Sequence, residues 1–212
     1  MDIYPAEKKV SGIISVILNP LLIPTLAISY IVFTPGIFSA MLPLKYRLML
    51  LGLITLMTMI IPLLLIAALK WFNLLSNSKI PEKSFTNYVY IILLICYFFT
   101  YRMLISMGFN NAISLVLLGS TIALFICTAI NLAGSMSATG VGWGALSGII
   151  LSMLLMDITS GITILFLIII LSGISGTAQI LLGRSTASQE FAGFATGVVA
   201  LLFTFIVLSG MV

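Results

Sequence analysis

Seven apolar runs separated by short polar islands organise the chain, at about residues 11–33, 48–69, 87–107, 111–130, 141–156, 158–174 and 191–212. Most reach the roughly 20 residues that a helix rising 1.5 Å per residue needs to cross about 30 Å of hydrocarbon. Within a bilayer only helices and closed barrels satisfy their own backbone, and a barrel would alternate apolar and polar positions, which these runs do not. The pattern predicts an all-α polytopic transmembrane bundle of six to seven spans. It forms one integral membrane domain over residues 1–212, without a soluble domain, a low-complexity tract or a long linker. The fifth and sixth runs are short for full crossings, so a tilt, kink or re-entrant turn there would make the count six. Asn19-Pro20 and Pro24 are expected to kink the first span or divide it, and Pro62 to kink the second. Proline removes an amide donor and crowds the preceding turn.

Small residues add detail to two spans. Gly140, Gly144 and Gly148 recur every four residues and share one face of the fifth span, and Gly193 and Gly197 repeat the spacing in the last. Close helix packing is the expected use, since glycine lets two backbones approach. Asp157 reads as a turn or cap residue, with ion or proton coupling as the alternative for an acid at a membrane edge. Arg102 is expected to snorkel to the interface.

Composition narrows the class. Hydrophobic residues make up 61% of the chain and charged residues 7%, whereas soluble domains carry about 25% charged residues. The net charge of +4 comes from nine basic residues against five acids, and the basic residues fall mostly between spans. That distribution points to topology and leaves no expected nucleic-acid partner. With seven spans, Lys8, Lys9, Lys70, Lys79, Lys83 and Arg184 share one side against Lys45, Arg47 and Arg102 opposite, which makes the first side cytoplasmic by the positive-inside rule. The opening "MDIYPAEKKV" places two lysines before an apolar run, as a signal peptide would. That run is about 20 residues long with no small-residue cleavage pattern after it, so it reads as a retained span. Cys96 and Cys127 lie inside apolar runs and read as small buried hydrophobes. With no histidine, two mid-span cysteines and five scattered acids, no metal site and no cofactor are expected.

Three polar islands fall on one side of the bundle: "KIPEKSFTNY", "NLAGSMSATGVGWG" and "AQILLGRSTASQEFAGFATG". Loops between alternate spans meet at one membrane face, so these islands can converge on one site. Over residues 81–197 the chain resembles the type 2 phosphatidic acid phosphatase superfamily, in particular a small bacterial branch. There the second island looks like N-x-x-W-K-x-S-x-H-x-x-G-x-G and the third like S-R-x-x-x-x-x-H-T-x-x-Q-x-x-A-G. Asn131, Ser137, Gly142 and Gly144 occupy framework positions of the second motif, and Thr186, Gln189, Ala192 and Gly193 those of the third.

The reactive positions differ. Ser135 stands at the motif lysine, Thr139 at its histidine, Gln179 at the arginine of the third motif and Ser185 at its histidine. In the first island Lys83 is the one basic remnant, and Thr86 stands where a second arginine is expected. The resemblance implies enzymes in which one histidine attacks phosphorus, another acts as general acid, and lysine and arginine hold the phosphate oxygens. Those roles need an activated nucleophile, a proton donor matched to the working pH, and fixed cations or dipoles around the developing charge. Ser135, Thr139, Gln179 and Ser185 supply none of them. Ser135, Ser137, Thr139 and Ser185 to Ser188 can instead cap the helices that follow.

The leading expectation is a catalytically inactive, lipid-phosphatase-like membrane protein, first as an accessory or structural subunit of a membrane complex with a membrane-protein partner. The alternative is a protein that binds or handles membrane lipids, with Lys83 and Arg184 as headgroup-binding residues and Ser135, Ser137, Thr139, Gln179, Ser185 and Gln189 as degenerate motif positions. A third reading, residual phosphatase activity, would depend on Ser185 or Arg184. The bacterial branch implies a bacterial inner membrane.

Overall fold

The computed structural model describes residues 5–18, 20–34, 43–71, 82–109, 112–158 and 161–208, with backbone alone at 5–8, 16, 17, 20, 70, 82–86 and 208. Every regular element among them is helical: α1 (Pro5–Ile17), a 3-10 turn (Pro20–Leu22), α2 (Ile23–Phe33), α3 (Leu44–Thr55), a π turn (Leu56–Ile60), α4 (Ile61–Trp71), α5 (Glu82–Ser106), α6 (Ala112–Ala133), α7 (Ala138–Leu155), α8 (Ile162–Leu181) and α9 (Ala187–Leu208). Six stretches are long and apolar enough to cross a bilayer: Leu44–Leu69, Asn87–Ser106, Ala112–Ala133, Ala138–Leu155, Ile162–Leu181 and Ala187–Val207. They make this an all-helical integral membrane protein.

The seventh expected span, at the start of the chain, is not a single helix. α1 has 13 residues and α2 has 11, or about 20 and 16 Å, each short of a hydrocarbon core. Pro20 cannot donate to the end of α1, and Pro24 sits in the first turn of α2, where its missing amide costs nothing. The prolines therefore divide the segment instead of kinking it; Asn19 lies outside the described residues. The turn between the two helices lies at the island end of the bundle. Ser15 meets Gln179 and Arg184 there, and Leu21 and Pro24 share a cavity wall with Ala138, the first residue of α7. Lys8 and Lys9 consequently drop out of the charge comparison. With Lys79 outside the described residues, Lys70, Lys83 and Arg184 remain against Lys45, Arg47 and Arg102, and that balance no longer orients the chain.

Pro62 follows a π turn in the second expected span. The amide of Ile61 bonds back five residues to Leu56, and this widened turn makes room for the proline ring that follows. The helix runs through it as one span. The fifth and sixth expected runs are full-length helices of 18 and 20 residues. The sixth continues past Ile174 to Leu181 because its polar residues are accommodated inside it. Thr177 Oγ1 donates to the Gly173 carbonyl at 2.7 Å, and Ser175 and Gln179 are buried against neighbouring helices.

α7 is the central helix. Of its membrane-length window, 72% is buried, against 28% for α8 and 22% for α5, so α8 and α5 present their large apolar side chains, such as Phe166 and Phe98, outward as lipid-facing surface. α9 lies against α7 along the glycine face anticipated from sequence. A Cβ at Gly144 would land on the Phe194 carbonyl, one at Gly197 on the Val141 carbonyl, and one at Gly193 only 2.5 Å from the Ser137 carbonyl.

Asp157 ends α7 as a turn residue. It takes φ +53°, its amide donates to Leu154 at 3.2 Å, and the amide of Ile158 donates to Met153 at 2.9 Å. This is the paired bonding of a Schellman C-cap, whose left-handed position favours glycine. Asp157→Gly is therefore expected to stabilise the protein by about 1 kcal/mol. Denaturation in mixed micelles measures it, and a loss of stability would assign Asp157 a role beyond the turn.

Candidate functional site

The second and third islands are each held by local bonds before they meet. At the end of α6, Asn131 Oδ1 accepts the Met136 amide at 2.7 Å while its Nδ2 donates to the Met136 carbonyl at 3.2 Å, closing the turn into α7. Ser137, with extended backbone, caps α7 by accepting the Gly140 amide at 3.3 Å. At the end of α8 a second Schellman turn forms on Gly183, φ +69°. The amide of Gly183 bonds Ile180 at 2.9 Å and that of Arg184 bonds Gln179 at 3.0 Å, which folds Arg184 back over the last turn of α8. Thr186 then caps α9 in a reciprocal capping box. The Gln189 amide donates to Thr186 Oγ1 at 3.4 Å, and the Thr186 amide donates to Gln189 Oε1 at 2.9 Å.

The second and third islands are joined across α7 and α9. Gln189 Nε2 donates to Ser135 Oγ, and the Ser137 amide donates to the Gln189 carbonyl at 3.4 Å. Behind them lies Glu190, buried in the first turn of α9. Its Oε1 accepts both the Ser137 and the Ser185 hydroxyl, each at 2.6 Å. Two hydroxyl donors and two parallel helix N-termini compensate the carboxylate. α1 joins the site at Ser15 Oγ, which accepts from Gln179 Nε2 at 3.0 Å and from Arg184 Nη1 at 2.9 Å.

These bonds leave an open polar cleft of about 760 Å3. The second island lines it with Ser135, Ser137 and Thr139, and the third with Gln179, Arg184, Ser185 and Gln189. From the helix that carries the first island come Asn87 and Tyr90. Thr139 and Gln179 are buried within it, whereas Ser135 and Arg184 are exposed. The side chains of Lys83 and Thr86 lie outside the described residues. Every other degenerate motif position inferred from the motif spacing thus faces one chamber, together with the headgroup candidate Arg184.

Three contributors were not anticipated. For Glu190 the available signal is an acid inside a polar island at the start of a span. Ser15 stood inside an apolar run, where its spacing of four from Ser11 marks a buried polar face on α1. Tyr90 carried no signal, because an aromatic at the end of a span reads as interfacial.

Chemically the cleft offers hydroxyls, amides and one described guanidinium. Ser185 donates its proton to Glu190 and keeps its oxygen as an acceptor. The pairing of Arg184 with Ser15 uses one of five guanidinium donors. Such a set, among the described residues, hydrogen-bonds a singly charged or neutral polar group.

Fold and site together define a polytopic helical membrane protein with a polar cleft at one end of its bundle. Comparisons with family models, curated proteins and solved structures find no match. The resemblance to the lipid phosphatases accordingly rests on motif spacing.

Proposed function

We propose that the chain is a catalytically inactive, lipid-phosphatase-like protein of a bacterial inner membrane that holds the head of a membrane phospholipid without hydrolysing it. The observation that carries this reading is the convergence of Ser135, Ser137, Thr139, Gln179, Ser185 and Gln189 on one open cleft beside Arg184. Hydroxyls that served only as helix caps would allow the chamber to close. An open, polar chamber supports a ligand-holding role over that of a purely structural subunit. With one described cation in the cleft and Glu190 drawn into the helix ends behind it, the preferred head is a phosphodiester bearing a single charge, with its neutral part bonded by the hydroxyls and amides.

Native mass spectrometry of the chain purified with phosphatidylglycerol tests it. Wild type should retain about one lipid, and Arg184→Ala should lower occupancy roughly tenfold, the expected loss for a charge-assisted hydrogen bond. Unchanged occupancy in Arg184→Ala would refute the site.

A further inference from the structure

A second cavity, of about 250 Å3, lies among α2, α5, α6 and α7. Tyr90 and Ala138 belong to the walls of both this cavity and the polar cleft. From that shared wall the cavity runs inward along α7 to Ala145 and along α5 to Leu93 and Tyr97, with Ala123 and Leu124 of α6 opposite. Its lining is almost wholly apolar, in contrast to the hydroxyl-rich cleft it adjoins. The pair is a polar chamber at the membrane face with an apolar chamber behind it, the division of an amphiphile into head and chain.

Size then restricts the occupant. An apolar cavity of about 150 Å3 already holds one benzene ring, so 250 Å3 holds a segment of one hydrocarbon chain and not two.

We infer that the apolar chamber receives one acyl chain of the phospholipid whose head occupies the adjoining polar cleft, while the second chain stays in the bilayer. The inference rests on the headgroup reading above and adds a chain-length and chain-shape preference to it.

The test uses the full chain in nanodiscs containing phosphatidylglycerol with a diazirine in one acyl chain, photolysed and mapped by peptide mass spectrometry. Adducts are expected on α6 around Ser120 to Leu124 and on α7 around Val141 to Ala145, falling at least tenfold in Ala145→Phe, which fills the chamber, and in Arg184→Ala, which releases the head. Should Ala145→Phe not fold, Ala123→Leu serves the same purpose, and the wild-type map decides without any variant. Adducts confined to outer faces such as Phe166 and Phe203, or unchanged in a folded chamber-filling variant, would overturn the inference. If that occurs while lipid occupancy still depends on Arg184, the headgroup reading stands and the chain chamber alone falls. Chamber adducts that persist in Arg184→Ala would separate chain from head and overturn the single-lipid assignment.

Discussion

Replacing Gly144 by alanine is expected to destabilise the bundle by about 3 kcal/mol, the upper range for forcing extra volume into a close-packed site. The added methyl would fall on the carbonyl of Phe194, with the Phe194 Cα also only 2.8 Å away. Both belong to backbone, which cannot rotate aside as a side chain would. Relief requires α9 to move off α7, and Gly193 and Gly197 on α9 are set equally hard against α7. The separation would therefore be felt along the whole interface. It would also part Ser137 from Gln189 and Glu190, dismantling the wall of the cleft. The same substitution at Gly52, where nothing lies within 4 Å of the added methyl, should instead stabilise by about 0.5–1 kcal/mol, the ordinary helical preference for alanine. Denaturation in mixed micelles of SDS and mild detergent compares the two; equal effects would show that the α7–α9 approach is looser than described.

The second large effect is expected at Glu190. Alanine there leaves the part-buried Ser137 and Ser185 hydroxyls without their acceptor, at about 1–2 kcal/mol each. Removing a buried charge recovers part of that, because a desolvated carboxylate is itself costly. A net loss of about 2 kcal/mol follows. Glu190→Gln keeps an amide oxygen that accepts from both serines and removes the charge, so it should stay within about 1 kcal/mol of wild type. Thermal unfolding in detergent resolves this order. If glutamine were as damaging as alanine, the negative charge itself would be required, and a role beyond joining the islands would be assigned to Glu190.

Much of the architecture was legible in the sequence because the bilayer imposes a simple code. Runs of about 20 apolar residues read as spans, and five of the six long helices fall near their expected limits for that reason. The glycine spacing in α7 and α9 was equally readable, since a period of four selects one helix face. The first run misled because apolar composition says nothing about a break, and two prolines four residues apart divide a helix that hydropathy alone would continue. The end of α8 misled in the opposite sense. Thr177 and Gln179 look like a loop, yet the bond of Thr177 back to Gly173 and that of Gln179 to Ser15 keep them within it.

For the site, the residue positions followed from motif spacing, but their joining did not. Glu190 with Ser137 and Ser185, and Ser15 with Gln179 and Arg184, link residues that are 53 and 164 or more positions apart, except the local Ser185 pair. Helix packing sets such bonds, and no local pattern announces them. The tail chamber is of the same kind, formed by α2, α5, α6 and α7, whose inward faces read only as membrane-spanning sequence.

The central claim is that the cleft holds a lipid head and leaves it intact. The most direct measurement presents the purified, folded chain with phosphatidic acid and follows bound lipid and free products by mass spectrometry over hours. The account predicts phosphatidic acid recovered at its intact mass, with diacylglycerol and phosphate no higher than in a protein-free control. Diacylglycerol and phosphate accumulating over many turnovers, and lost in Ser185→Ala or Arg184→Ala, would contradict it.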